Sequence, residues 1–167
     1  MNIDAPLPQS TARDAVPLES RARRLGVRPE DFIRATRRNP WLLTAPIGKL
    51  IATRDALQQG LDLSRAEATR LWLRSPQLLR RRPQALIQRY DLLGGALGLS
   101  RSEFKRILLE TASLLEANPA AALKRMTAAA EVLGVSLPQY ARLGLKRPSL
   151  LNFTATTLAA RLCALAA

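Results

Sequence analysis

Apolar and polar positions along this chain fall into a pattern that repeats with a long, fixed period. Cutting before Leu25, Leu61, Leu97 and Leu133 aligns four segments of 36 residues without gaps, the last one residue short. Each segment opens on that leucine, followed by Gly26, Gly98 or Gly134, with Asp62 as the exception. Later comes Pro40, Pro76 or Pro148, with Ala112 in the third copy. Two residues beyond stands a leucine pair: Leu42-Leu43, Leu78-Leu79, Leu114-Leu115 and Leu150-Leu151.

Every unit carries signals for two helices. Ser64 with Glu67, Ser100 with Glu103 and Ser136 with Gln139 have capping-box spacing, in which the hydroxyl accepts from the third amide and the longer side chain reaches back. In the first unit Pro29 enters the first turn, and Glu30 and Asp31 suit the positive end of a helix dipole. The first helix runs about ten residues, with apolar spacing such as Phe104, Ile107 and Leu108. It stops before the proline, which pushes its predecessor out of the α region.

Pro46, Pro83 and Pro119 are placed for the first turn of a second helix, and Asn118 or Thr154 for its cap. Gly60 and Gly94-Gly95 are candidate stops. A helix pair of this size cannot bury its apolar stripe alone, so neighbouring units must stack, with the leucine pairs in the seams. The expectation is an all-α helical-repeat solenoid over residues 25–167, in units 25–60, 61–96, 97–132 and 133–167. Residues 1–24, with Pro6, Pro8 and Pro17, read as a polar, flexible lead-in.

Composition narrows the chemistry. Histidine is absent and Cys163 is the single cysteine, which removes the usual general base and the usual transition-metal ligands. In a Leu/Ala-rich segment, Cys163 reads as a small core residue. The carboxylates Glu30, Asp31, Glu67 and Glu103 already serve helix starts, and no G-x-x-x-x-G-K-[ST] loop is present. No enzyme, cofactor or metal is expected. No apolar run approaches the roughly 18 residues of a membrane span, and the lead-in lacks the apolar stretch of a secretory signal. A bacterial-type cytoplasmic protein is expected, with organellar or exported locations as alternatives.

The segments Leu97-Gly98-Leu99-Ser100, Pro40-Trp41-Leu42-Leu43, Pro76-Gln77-Leu78-Leu79 and Pro148-Ser149-Leu150-Leu151 resemble the mTERF repeat of the mitochondrial and plastid transcription termination factors and their relatives. The resemblance covers residues 25–167. It implies a curved, right-handed stack of helical triplets that binds duplex DNA or RNA through basic residues, with no enzymatic activity. Four repeats are fewer than the family often has, and a lead-in unlike an organelle presequence suggests a bacterial or otherwise atypical relative.

Charge gives the site its candidates. Lys and Arg number 26 against 13 Asp and Glu, a net charge of +13. Arg37, Arg38, Arg74, Lys146 and Arg147 gather just before the proline position, and Arg80, Arg81 and Arg82 lie between the helices of unit two. Cations at a helix C-terminus complement its dipole, but that accounts for one charge per helix. Stacked units should align these residues as a stripe about 40 Å long, comparable with a turn of B-DNA at about 34 Å. The expected partner is duplex DNA or structured RNA, bound through its phosphates. The alternative is a scaffold that holds an acidic protein. Glu110 and Glu116 in unit three should interrupt the stripe. Trp41 and Trp72 read as core residues of a Leu-rich repeat, with base stacking as the alternative.

Overall fold

The computed structural model describes residues 17–166, and these fold as an all-α protein. A first helix, α1 (Leu18–Leu25), is followed by α2 (Pro29–Arg38), a single turn α3 (Trp41–Thr44) and α4 (Ile47–Gly60). Next come α5 (Arg65–Arg74) and α6 (Pro83–Ala96), joined through a 3-10 turn at Pro76–Arg80. Then α7 (Arg101–Glu110) and α8 (Pro119–Val132) flank a 3-10 turn at Ala112–Leu115. Last are α9 (Leu137–Lys146) and α10 (Ala155–Ala166), around the turn Pro148–Asn152. The first helices begin at residues 29, 65, 101 and 137, and the second at 47, 83, 119 and 155, so the bounds keep the 36-residue spacing of the sequence.

Local chemistry explains the starts. All three capping boxes form, with both reciprocal bonds in each. The Asn118 side chain accepts from the amides of Ala120 and Ala121, and Thr154 Oγ1 accepts from the Thr157 amide at 3.2 Å. Pro83 and Pro119 enter the first turn, whereas Pro46 stands one place earlier, at the cap. Capping lowers the Glu67 and Glu103 carboxyls below their usual range, chiefly through the backbone amides of Ser64 and Ser100.

The stops follow a shared geometry. Asn39, Ser75 and Arg147, each preceding a proline, leave the helical region with φ near −139°. Thr111 does so without one, at φ −128°, and its hydroxyl donates to the Ile107 carbonyl at 2.7 Å. At the far end of each second helix the left-handed residue is the one after the opening leucine: Gly26, Asp62, Gly98 and Gly134. Gly60 is the last residue of α4, and Gly94 and Gly95 lie inside the last turn of α6, but none of the three takes the left-handed φ expected of a stop. Gly60 serves packing, since a Cβ there would stand 2.1 Å from Ile87 Cδ1 of α6.

Helices α2, α5, α7 and α9 pack side by side in that order, and so do α1, α4, α6, α8 and α10. The core lies between these two rows. Leu42, Leu78, Leu79, Leu114, Leu115 and Leu151 are buried in it, Leu150 is half-buried, and Leu43 is exposed. Trp72 is a core residue, packed with Phe32, Leu42 and Leu50 from the preceding unit.

The boundary at Leu25 falls at the end of a helix, not before one, because Leu18–Leu25 form α1 and bury Arg21 and Ala22. Helix α1 keeps the register of the last turns of α4, α6 and α8, with Leu25 in the place of Leu61, Leu97 and Leu133, and it covers α4. The rest of the lead-in, residues 1–16, lies outside the described residues. Cys163, expected in the core, is exposed on α10. Its register is that of Asp55 and Asp91, which marks the outer face of the second helices.

The two tyrosines give the fold a spectroscopic handle. Tyr90 and Tyr140 are buried, and each phenol donates to a backbone carbonyl, Arg101 at 2.5 Å and Leu150 at 2.6 Å. Burial raises both phenols above their ordinary range. Stability from the neutral phenols is therefore present below the ordinary tyrosine pKa of about 10 and lost as pH rises through the raised values. In an alkaline titration, phenolate absorbance should stay low near pH 10 and rise only together with loss of helical circular dichroism. Phenolate appearing while the helices persist would contradict this.

Candidate nucleic-acid interface

The expected site residues sit where helices end. Arg37 and Arg38 close α2, Arg74 closes α5 and Lys146 closes α9, with Arg147 just beyond. Arg80 ends the 3-10 turn, and Arg81 and Arg82 lead into α6. All eight are exposed. The structure brings only Arg38 and Arg74 together, on the walls of one groove between α2 and α5. Arg80 leans over the Trp41 ring at 5.4 Å, a cation–π contact that ties unit two to unit one. Trp41 itself is half-buried.

A second set of residues was not singled out above. Arg34, Arg70, Arg106 and Arg142 occupy one register on four successive helices, 36 residues apart, and all are exposed. They stand one turn before Arg38, Arg74, Glu110 and Lys146, hence on the same helix face. Their signal is in the alignment, where this charged position holds the same residue in every unit. The clusters beside the prolines are denser in charge but less regular.

Arg34 and Arg70 face the α2–α5 groove, a cavity of about 760 Å³ with Ala35, Ala66 and Leu73 in its lining. Six arginines line it against one acid, Asp31. Asp31 already serves Arg28 at 2.8 Å and Arg34 at 3.8 Å, and the Arg28 hydrogen bond holds its carboxyl below the usual range. Between α5 and α7 the arrangement differs. Glu110 pairs there with Arg70, and with Arg74 at 3.1 Å, while Arg74 also donates to the Glu110 carbonyl at 2.9 Å. The interruption expected at unit three is therefore present, and it takes Arg74 with it. Glu116 bonds Ser75.

Other arginines are spent on the fold. Arg89 and Arg125 lie in one register and donate to the carbonyls of Leu115 at 3.0 Å and Leu151 at 3.3 Å, the second leucine of the next unit's pair. Arg54 reaches the Leu25 carbonyl at 2.9 Å, and Arg21 the Leu42 carbonyl at 2.9 Å. Burial lowers the Arg21 pKa from its ordinary value.

Among the described residues no cluster of three or more His, Cys, Asp or Glu is positioned to hold a metal ion, and no helix is long and apolar enough to cross a membrane. The chain is thus an all-α protein of helical-repeat-like build, with arginines in register along one row of helices. Neither the protein-family models nor the curated proteins contain a match to it.

Proposed function

We propose that this chain is a four-repeat, mTERF-like solenoid without catalytic activity, which lies along duplex DNA or structured RNA and grips its phosphates. The observation that carries this reading is the column Arg34, Arg70, Arg106 and Arg142 on successive packed helices. Packed helices stand about 8–10 Å apart, so the column spans about 24–30 Å, nearly one turn of B-DNA. Guanidinium groups match phosphate oxygens in pairs, and no base-reading group is required for such a grip. Positioning on a duplex would let the protein modulate transcription or RNA handling.

Binding of the full chain to random-sequence duplex DNA and duplex RNA over a salt series tests this. The expected result is tight binding at low salt, with log affinity falling linearly against log salt, and the better duplex names the ligand. Absence of binding to either duplex at low salt would reject the reading and turn attention to an acidic protein partner.

A further inference from the structure

The seams between successive first helices are built alike but charged differently. By register, each sets two positions one turn apart on one helix against the later of these positions on the next. In the α5–α7 seam they are Arg70, Arg74 and Glu110, and the carboxylate of Glu110 is held by both arginines. In the α7–α9 seam they are Arg106, Glu110 and Lys146. In the α2–α5 seam they are Arg34, Arg38 and Arg74, with no acid among them. Among the described residues Arg38 has no carboxylate partner within 4 Å. This seam also holds the large cavity, about 760 Å³, against about 290 Å³ for the depression beside Glu110.

We infer that the α2–α5 groove binds a phosphate monoester, its phosphoryl group standing where Glu110 places a carboxylate in the next seam. Glu110 is the chain's own stand-in for that anion. Exchanging it for Arg74 changes the local charge by two, which a dianionic phosphate restores and a single carboxylate does not. Arg38 and Arg34, the latter 3.8 Å from Asp31, supply donors on one wall, and Arg74, which also serves Glu110, lines the other. The apolar lining of Ala35, Ala66 and Leu73 accommodates the organic body, and the volume suits a ligand of nucleotide size. The groove shares Arg34 and Arg70 with the proposed duplex-binding column, but the inference does not rest on that reading, since its ligand is small.

Calorimetric titration of the full chain with adenosine 5′-monophosphate, with adenosine as the control, tests the site. The nucleotide should bind once per chain and at least about tenfold more tightly than adenosine. Arg38→Ala, an exposed change, should weaken it by about tenfold or more while the melting temperature holds. Glu110→Arg should give the α5–α7 seam the charge of its neighbour and raise the stoichiometry to two sites. Should that variant fold poorly, Glu110→Gln frees Arg70 and Arg74 with less change in shape and should add a second, weaker site. Equal affinity for nucleotide and nucleoside, or an unchanged affinity in Arg38→Ala, would overturn the assignment. So would a stoichiometry that stays at one in both Glu110 variants. A 5′-phosphorylated oligonucleotide compared with its 5′-hydroxyl form then names the source. Tighter binding of the former assigns the site to a strand end, and no difference assigns it to a free nucleotide. Failure of the duplex series leaves this result untouched, and the reverse holds as well.

Discussion

Phe104→Ala should lower the stability of the folded chain by about 3–5 kcal/mol, at the upper end of what a core truncation costs. Phe104 is fully buried at the first turn of α7. Its ring lies 5.0 Å from that of Tyr90 at a tilt of 44°, an arrangement that adds to simple area burial. It also packs toward Gly94 of α6, where a Cβ would stand 3.5 Å from Phe104 Cδ1. Neighbours as small as Gly94 cannot move in to fill the space, so most of the cavity would stay open. A loss of that size is a large share of the 5–15 kcal/mol typical of a domain. The position also joins two units, and a stack of repeats depends on contacts between neighbours. Urea melts followed by circular dichroism should therefore show a lower midpoint together with a shallower or split transition, as the units on either side begin to separate. A shift worth less than about 1 kcal/mol would mean that the seam collapses around the void.

What could be read in advance divides along a physical line. Features fixed by a few neighbouring residues were legible: the capping boxes at Ser64, Ser100 and Ser136 and the breaks before Pro40, Pro76 and Pro148 form as their spacing requires. The buried phase of the leucine pairs was legible in the two inner units, whereas Leu43 and Leu150 of the end units are exposed and half-buried. Features decided by a partner from another unit were not. Arg21 stands in the register of Leu57 and Leu93, so its sequence hides the α1 packing face, and only the carbonyls of Leu42 and Ala45 explain how it is buried. Gly60 ends α4, but its lack of a side chain is explained by Ile87 of the next second helix and not by a left-handed φ. Glu110 reads as a gap in a basic stripe, and its bond to Arg70, forty residues earlier, makes it an internal ligand. The fate of each arginine is hidden for the same reason. Arg89 and Arg106 are equally basic in sequence, but one meets a buried carbonyl and the other is exposed.

That distinction sets up the variant with the largest expected effect on binding. Replacing Arg34, Arg70, Arg106 and Arg142 together by Gln should reduce the salt slope on duplex DNA by about 3.6, since each phosphate contact contributes about 0.9. Extrapolated from a 1 M reference to 0.1 M salt, this amounts to a loss of affinity on the order of a thousandfold. Stability should change little, because all four side chains are exposed and, among the described residues, the carboxylates they pair with are Asp31 and Glu110. The reverse pattern is expected for Arg89→Ala and Arg125→Ala. Those side chains hold the carbonyls of Leu115 and Leu151, so melting should fall while the salt slope stays. Arg80→Ala/Arg81→Ala/Arg82→Ala provides the decisive comparison. These three are exposed as well, but they precede α6 in the other row of helices and are absent from the groove between α2 and α5. If the triple variant loses slope and the quadruple variant keeps it, the duplex lies against the links between helices and the in-register column is only a solvated face. If the quadruple variant alone loses slope, the contact runs along the first helices, one guanidinium per unit.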